Sequence, residues 1–457
     1  MRQTTRFALA LSLVLATPLT FGADLLDVYQ RALQSDPQIR EAEATRLATL
    51  EAKPQALAGL LPTISANGNY ISRDQKGQNT TLAVVGGVPV VGTTTQTIDA
   101  TIKQYQIQLT QPLFRWDRWV ALRRADGQVA QAEADFKAAE QNLVFRVSQR
   151  YFNVLSAKDQ LEATDGALAA VSRQLEQAEQ RYEVGLIAIT DVQESRAAAD
   201  QARAAVIAAK RTLSTNQELL RELTGEMFTT LAAPGEDMPL NSPSPASEEQ
   251  WVSAAMEQNL ALISSRLSLD IAREAINNAR TGHYPTLDLV GTRFNNAQDA
   301  DQINNGNPSP ANSDITQDSI TLQLTVPIYS GGAVSSRVRE QVYRHRAARE
   351  RLERTARETE RAARDAYLGV NSGISRVQAL RQAVESSRTA LRASAAGFEV
   401  GTRTTVDVLD AQRRLLDAET NYARSKYDYI IGIIQLKQAA GTLSREDLAE
   451  INGWLRE

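Results

Sequence analysis

"YEVGLIAITDV", residues Tyr182–Val192, returns as "FEVGTRTTVDV" at Phe398–Val408, 398 − 182 = 216 positions later. In each copy an aromatic residue and Glu-Val-Gly close one helical pattern, and an Asp stands near the start of the next. Other stretches repeat around this pair. "LLPTISANGNYI" from Leu60 resembles "HYPTLDLVGTRF" from His283, aligning Pro62 with Pro285. "IQLTQPLFRWDRWVALRRA" from Ile107 matches "LQLTVPIYSGGAVSSRVRE" from Leu322, aligning Pro112 with Pro327. The chain is therefore an internal duplication, and each half reads helix, Pro-Thr, strand, loop, strand, Pro, very long helix, Val-Gly turn, helix.

The helical patterns are heptads. Val147, Val154, Leu161, Leu168, Leu175 and Tyr182 recur every seven residues, as do Val370, Val377, Val384, Leu391 and Phe398. Past the second turn Val408, Leu415, Tyr422, Tyr429 and Leu436 repeat, with Ala411, Ala418, Ser425, Gly432 and Ala439 three residues behind them. Large and small residues at successive seam positions let helices pack closely as a left-handed coiled coil, although the core stripe of an ordinary bundle reads similarly. An upstream heptad (Leu122, Val129, Phe136, Leu143) breaks phase by four residues at Val147, a stutter that locally unwinds a supercoil. The spacing predicts a first long helix over about 116–183 and a second over about 332–397. A helix of that length rises roughly 100 Å, which no compact domain accommodates. Shorter return helices follow at about 187–223 and 404–440.

Period-two alternation marks strands at about 63–73, 98–111, 286–294 and 318–327. Ile64, Ala66, Gly68 and Tyr70 alternate with Ser65, Asn67 and Asn69, and Ile320, Leu322, Leu324 and Val326 with Thr321, Gln323 and Thr325. One apolar and one polar face suit a sheet between lipid and water, or equally a soluble sandwich. Between the strands, "QKGQNTTLAVVGGVPVVGTTTQ" from Gln75 and "NNAQDADQINNGNPSPANSD" from Asn295 read as long loops. Four strands are too few to close a membrane barrel, so a spanning protein needs at least two copies, and three would supply twelve strands.

Residues 1–22 carry Arg2 and Arg6 before the apolar run Phe7–Leu15 and are expected to be a secretory signal peptide cleaved after Gly22 or Ala23. No later segment has the ~18 consecutive apolar residues of a membrane helix. The first repeat is placed at 23–225, a linker at 226–247, the second repeat at 248–440 and a C-terminal segment at 441–457. The 457 residues include 50 basic and 54 acidic side chains, two histidines and no cysteine. That balance gives no electrostatic reason to expect nucleic acid. Disulfides and thiolate metal sites are excluded, and a histidine metal site or Ser-His triad has little material, so neither a catalytic site nor a cofactor is expected. Ten arginines lie between Arg337 and Arg364, but Glu340, Glu350, Glu353 and Glu360 each precede an Arg by four, the mark of a solvated helix face.

"FNVLSAKDQL", "YEVGLIAITDVQ", "GHYPTLDL", "PIYSGGAVSSRV", "VGTRTTVDVLDA" and "GTLSREDL" together resemble the TolC-type outer-membrane efflux and secretion channel family over nearly all of the mature chain. The resemblance implies a mostly α fold with membrane β: a homotrimeric 12-stranded β-barrel, four strands per protomer, continuous with a long periplasmic α-helical coiled-coil barrel. An equatorial belt would take in the 226–247 linker and the C-terminal segment. The implied function is a passive exit duct in the outer membrane, extending into the periplasm, gated at the periplasmic tips. The implied partners are outer-membrane lipid, a periplasmic adaptor and an inner-membrane pump of the RND, ABC or MFS type, with no nucleic acid.

By the same resemblance, Val184, Gly185 and Leu186, with Val400, Gly401 and Thr402, match adaptor-docking tips. Arg403, Thr190 and Asp191 match a polar latch that holds the tips shut, and Phe398 stands where the family commonly has a Tyr, without the hydroxyl of a second link. Asp407 and Asp410, three apart on one helix face, match a lumenal ring of carboxylates that would favour cations. Two other classes remain at this point: a soluble periplasmic coiled-coil scaffold, and an enzyme whose constellation the sequence does not display.

Overall fold

The computed structural model describes residues 23–235 and 238–456, so the signal segment 1–22 lies outside the described residues. The first repeat begins with α1 (Leu25–Ser35), α2 (Pro37–Leu50) and α3 (Ala52–Ala58). It continues through β1 (Thr63–Val85) and β2 (Val88–Phe114) into the 68-residue α4 (Trp116–Glu183) and then α5 (Ile189–Thr224). After the two-residue β3 (Ala233–Pro234) come α6 (Glu248–Gln258), α7 (Leu260–Arg280), β4 (Thr286–Asn304), the short β5 (Asn307–Pro308) and β6 (Ser313–Thr325). Then follow α8 (Ala333–Glu399), α9 (Thr405–Ala440), α10 (Arg445–Asn452) and β7 (Leu455–Arg456), which pairs antiparallel with β3. No described helix is long and apolar enough to cross a membrane.

The chain divides into two units. Glu43–Phe136 and Ala261–Ala356 form the one that holds the main sheet. The strands run antiparallel in the order β1-β2-β4-β6, with β5 paired at the end of β4. The two long loops expected from the sequence are instead strand over most of their length. β1 and β2 form one continuous hairpin that turns at Gly86-Gly87, both at positive φ (63° and 86°). β4 turns at Asn305-Gly306 (φ 51° and 83°). Both are two-residue turns whose left-handed backbone matches strand twist, and β-branched Thr and Val residues favour the extended arms.

The register sorts side chains by face. Ile64 opposes Leu109, Leu109 opposes Gly291, and Gly291 opposes Ile320, so these residues share one face. Leu289 and Leu322 extend it, and Ile320 is 84% exposed in the single chain. The other face carries Gln106, Gln108, Thr110, Thr292, Asn296 and Gln323. The Gln106 amide donates to Gln108 (3.2 Å) and the Gln108 amide to the Thr110 hydroxyl (3.3 Å). From Tyr105 to Phe114 the apolar face spans about 25 Å at a typical barrel tilt, the thickness of a hydrocarbon band. Tyr105 at one limit, and Phe114, Trp116 and Trp119 at the other, are exposed aromatics of the kind that sit at membrane interfaces.

The described residues of Met1–Ala42, Lys137–Leu260 and Arg357–Glu457 make the second, helical unit. Its core gathers Leu143, Val147, Tyr151, Phe152, Leu155, Tyr429, Ile430 and Ile434, all nearly or fully buried. Leu143 and Val147, the two sides of the stutter, are both fully buried within the unbroken α4. Several buried polar groups have partners. Tyr151 donates to the Ala232 carbonyl (2.7 Å), Tyr427 to the Asp159 carboxylate (2.6 Å), and Arg146 pairs with the buried Asp36. Burial pushes both phenols well above their ordinary pKa, so they act as hydrogen-bond donors and not as acids. Val370, Val377 and Val384 of the second heptad series are buried, whereas Leu161, Leu168 and Leu175 of the first are half-buried in the single chain.

Candidate functional site at the paired Val-Gly turns

Both Val-Gly turns lie in the helical unit and are built alike. After α4, the Gly185 amide bonds to the Tyr182 carbonyl (2.9 Å) and the Leu186 amide to that of Arg181 (2.9 Å). After α8, the Gly401 amide bonds to the Phe398 carbonyl (3.1 Å) and the Thr402 amide to that of Gly397 (2.8 Å). Gly185 and Gly401 sit at φ 76° and 79°, the left-handed cap that ends a helix and that a side chain strains. The turns therefore place apolar residues outward: Val184 is 69%, Leu186 73% and Val400 75% exposed. Such side chains facing water in a single chain mark an interaction surface.

The return helices start differently. α5 begins after Ala188, which offers no side-chain cap. α9 begins with a capping box: the Thr404 hydroxyl accepts from the Asp407 amide, and the Asp407 carboxylate accepts from the Thr404 amide (2.8 Å) and hydroxyl (2.8 Å). These bonds hold the Asp407 carboxyl below its ordinary pKa, the Thr404 amide contributing most and the nearby Arg403 charge least. Asp410, one turn on, pairs with Arg413 at 2.8 Å. Both carboxylates of the expected ring thus lie on α9, each partly balanced by an arginine close to it in the chain, and Arg413 is a residue the sequence reading passed over.

The four residues expected to gate the tips are distributed as follows. Thr190 is exposed and Asp191 half-buried in the first turn of α5. Arg403 lies against Gly397 in the turn before α9, and among the described residues its only carboxylate within 4 Å is Asp407, at 3.8 Å in the first turn of α9. A link from Arg403 to Thr190 and Asp191 is not among the contacts of the single chain. Close to the turns, a side-chain contact between the two hairpins involves Phe398: the Arg181 guanidinium stands 4.9 Å from the Phe398 ring centroid. Arg181 and Phe398, with Arg173, Gln174 and Val408, line a cleft of about 650 Å³ between the hairpin ends. The Gln174 amide nitrogen is buried there without a partner.

An amphipathic antiparallel sheet on one unit and long heptad hairpins with apolar turns on the other define a protomer of an outer-membrane channel. The chain belongs to the outer membrane efflux protein family, whose model matches residues 28–226 and 251–442. It is similar to the outer membrane protein TolC of Vibrio cholerae, 36% identical over 440 residues that cover 95% of this chain and 94% of that protein. It also resembles the alkaline protease secretion protein AprF of Pseudomonas aeruginosa, at 27% identity over 94% of this chain and 86% of that one. The CmeC outer membrane channel of Campylobacter jejuni shares the fold, with a TM-score of 0.73 at 16% sequence identity, covering 95% of this chain and 89% of that one. The protein is accordingly an outer-membrane exit channel and not an enzyme, and the soluble scaffold reading finds no support.

Proposed function

We propose that three copies close their four-strand sheets into one twelve-stranded barrel and that their α4–α5 and α8–α9 hairpins assemble into a tunnel below it, serving tripartite efflux or type I secretion. One observation carries this reading: β1 pairs only with β2 and β6 only with β4 among the described residues, so a sheet with a lipid-compatible face ends in two open edges. In a membrane every backbone polar group needs a partner, and other copies supply it. Half-buried Leu161, Leu168 and Leu175 leave the first heptad series incompletely covered, which suits neighbouring copies on the helical side.

In this reading the Val184–Leu186 and Val400–Thr402 turns dock a periplasmic adaptor, which connects the duct to an RND, ABC or MFS inner-membrane pump. Asp407 and Asp410 ring the lumen near its entrance. Gating is the separation of the two hairpin ends, held by Arg403, Thr190, Asp191 and Phe398. AprF is by name a protease secretion protein, which favours a secretion role beside drug efflux. Fractionating cells and sizing the detergent-solubilised protein tests the assembly. A species of three chains in the outer-membrane fraction is expected, and a soluble monomer overturns the proposal.

A further inference from the structure

In the sheet-bearing unit an open cleft of about 770 Å³ lies where strands meet helices. The first turns of α4, the end of α7, the adjoining ends of β4 and β6, and the start of α8 enclose it. Four arginines line it: Arg118, Arg124, Arg337 and Arg344. Two carboxylates line it as well, and both are engaged. Glu340 pairs with Arg344 (2.6 Å), and Asp117 with Arg115 (3.2 Å) and Arg118 (3.6 Å). Arg124 and Arg337 have no carboxylate within 4 Å among the described residues, and the Arg124 Nε is buried with no hydrogen-bond partner. A guanidinium presents five donors in a fixed fork, and one held in a cleft without an acceptor is matched to an oxyanion.

The side on which the cleft opens follows from the strand register. Thr286 and Thr325 line the cleft and oppose each other in the ladder. Both belong to the Gln106–Gln108–Thr110 face, the polar one. Trp116 and Trp119 mark the other side: they are exposed and absent from the lining, while Asp117, Ala121 and Arg124 share the adjacent stripe of α4. The cleft is therefore continuous with the wet face of the sheet and not with the face that suits lipid.

We propose that this cleft is a binding station for polyvalent oxyanions, the phosphate or carboxylate clusters of exported solutes, with Arg124 and Arg337 as the binding residues. It rests on the duct reading for its place on the channel wall, but not for its affinity. Two unpaired guanidinium groups in one cleft select for ligands carrying several oxyanion groups, because each group takes a charge-assisted fork of hydrogen bonds.

Equilibrium dialysis of the detergent-solubilised full chain against tripolyphosphate, with orthophosphate in parallel, tests the site without requiring conduction. Saturable binding of about one tripolyphosphate per chain is expected, at least about tenfold tighter than orthophosphate and weakened about tenfold or more by R124Q/R337Q. The single change R337Q, at an exposed position, serves if the double variant does not assemble. R337K, which keeps the charge and loses the fork, should bind between wild type and R337Q. Equal, weak binding of both anions, or binding unaffected by R337Q, overturns the proposal. In planar bilayers, tripolyphosphate should block the wild-type channel and spare the variant. Absence of any conductance, with dialysis binding intact, would defeat the duct reading and leave the anion site standing.

Discussion

The guanidinium of Arg181, near the end of α4, lies 4.9 Å from the ring centroid of Phe398, near the end of α8. The contact ties the first hairpin to the second across 398 − 181 = 217 positions of chain, and it needs no hydroxyl on the ring. A cation over an aromatic face is worth about 0.5–1 kcal/mol at a partly exposed site. Three copies at about 0.5 kcal/mol each would shift the open population close to tenfold. R181Q and F398L should each raise resting conductance in planar bilayers several-fold, and F398Y should leave it low. Unchanged conductance in both disruptive variants would mean that packing of Val384 and its neighbours holds the closed state.

Arg403 gives a separate test of the polar latch. In the single chain it faces Asp407 at 3.8 Å, and because water screens an exposed pair, that contact alone holds little. If Arg403 also reaches Thr190 and Asp191 in the assembled tip, R403S should raise resting conductance beyond the effect of D407N. Equal, small effects of the two substitutions would confine Arg403 to its own hairpin.

The acidic pair should set ion preference. Replacing Asp407 and Asp410 with Ala should lower cation selectivity and relieve block by multivalent cations, both read from single-channel reversal potentials and current. Because Arg413 sits 2.8 Å from Asp410, R413Q should act in the opposite direction and strengthen cation preference. A double-Ala channel with wild-type selectivity would remove these carboxylates from the lumen.

The capping box carries a pH signature. Asp407 has a depressed pKa in the folded chain, so the stability it contributes is present above its unfolded pKa and is lost as pH falls through the lower, folded value. Hydrogen exchange at the Thr404–Asp407 amides should therefore stay slow at neutral pH and accelerate only below the usual carboxylate range. T404A removes the hydroxyl half of the box, and should move that acceleration to higher pH. An identical pH profile in T404A would show that the hydroxyl does not hold the carboxylate.

The turn glycines should be costly to replace. A β-branched residue at Gly401, where φ is 79°, costs about 1–2 kcal/mol of backbone strain. G401V should lower the thermal transition and reduce adaptor cross-linking in cells. L186D should spare the thermal transition and still reduce cross-linking, because Leu186 is exposed.

How much of this was readable in the chain depended on repetition and contrast. The heptads over Val147–Tyr182 and Val370–Phe398 repeat one chemistry at a fixed spacing, so α4 and α8 stood out. The membrane portions of the strands stood out because one face is apolar. From Gln75 to Leu82 the β1 positions on both faces are exposed, period-two contrast disappears, and the hairpin arms looked like loops. Gly86-Gly87 and Asn305-Gly306 were the turn signals that would have restored them. Arg181 was invisible for another reason: a cation over a ring imposes no spacing on the sequence. Arg337 was grouped with a solvated arginine face although Ala333, four residues earlier, offers it no carboxylate, and the cleft that gives it meaning is formed by distant segments.

The Gln106–Gln108–Thr110 ladder has a consequence for traffic through the barrel. These side chains bond to one another along the strand, so part of their donor and acceptor capacity is already engaged. A passing molecule meets a wet wall that has few unmet bonds to offer it and therefore shallow energy wells. Such a lining is low in friction and indifferent to the chemistry of its cargo. It leaves discrimination to the few levels where charge is exposed.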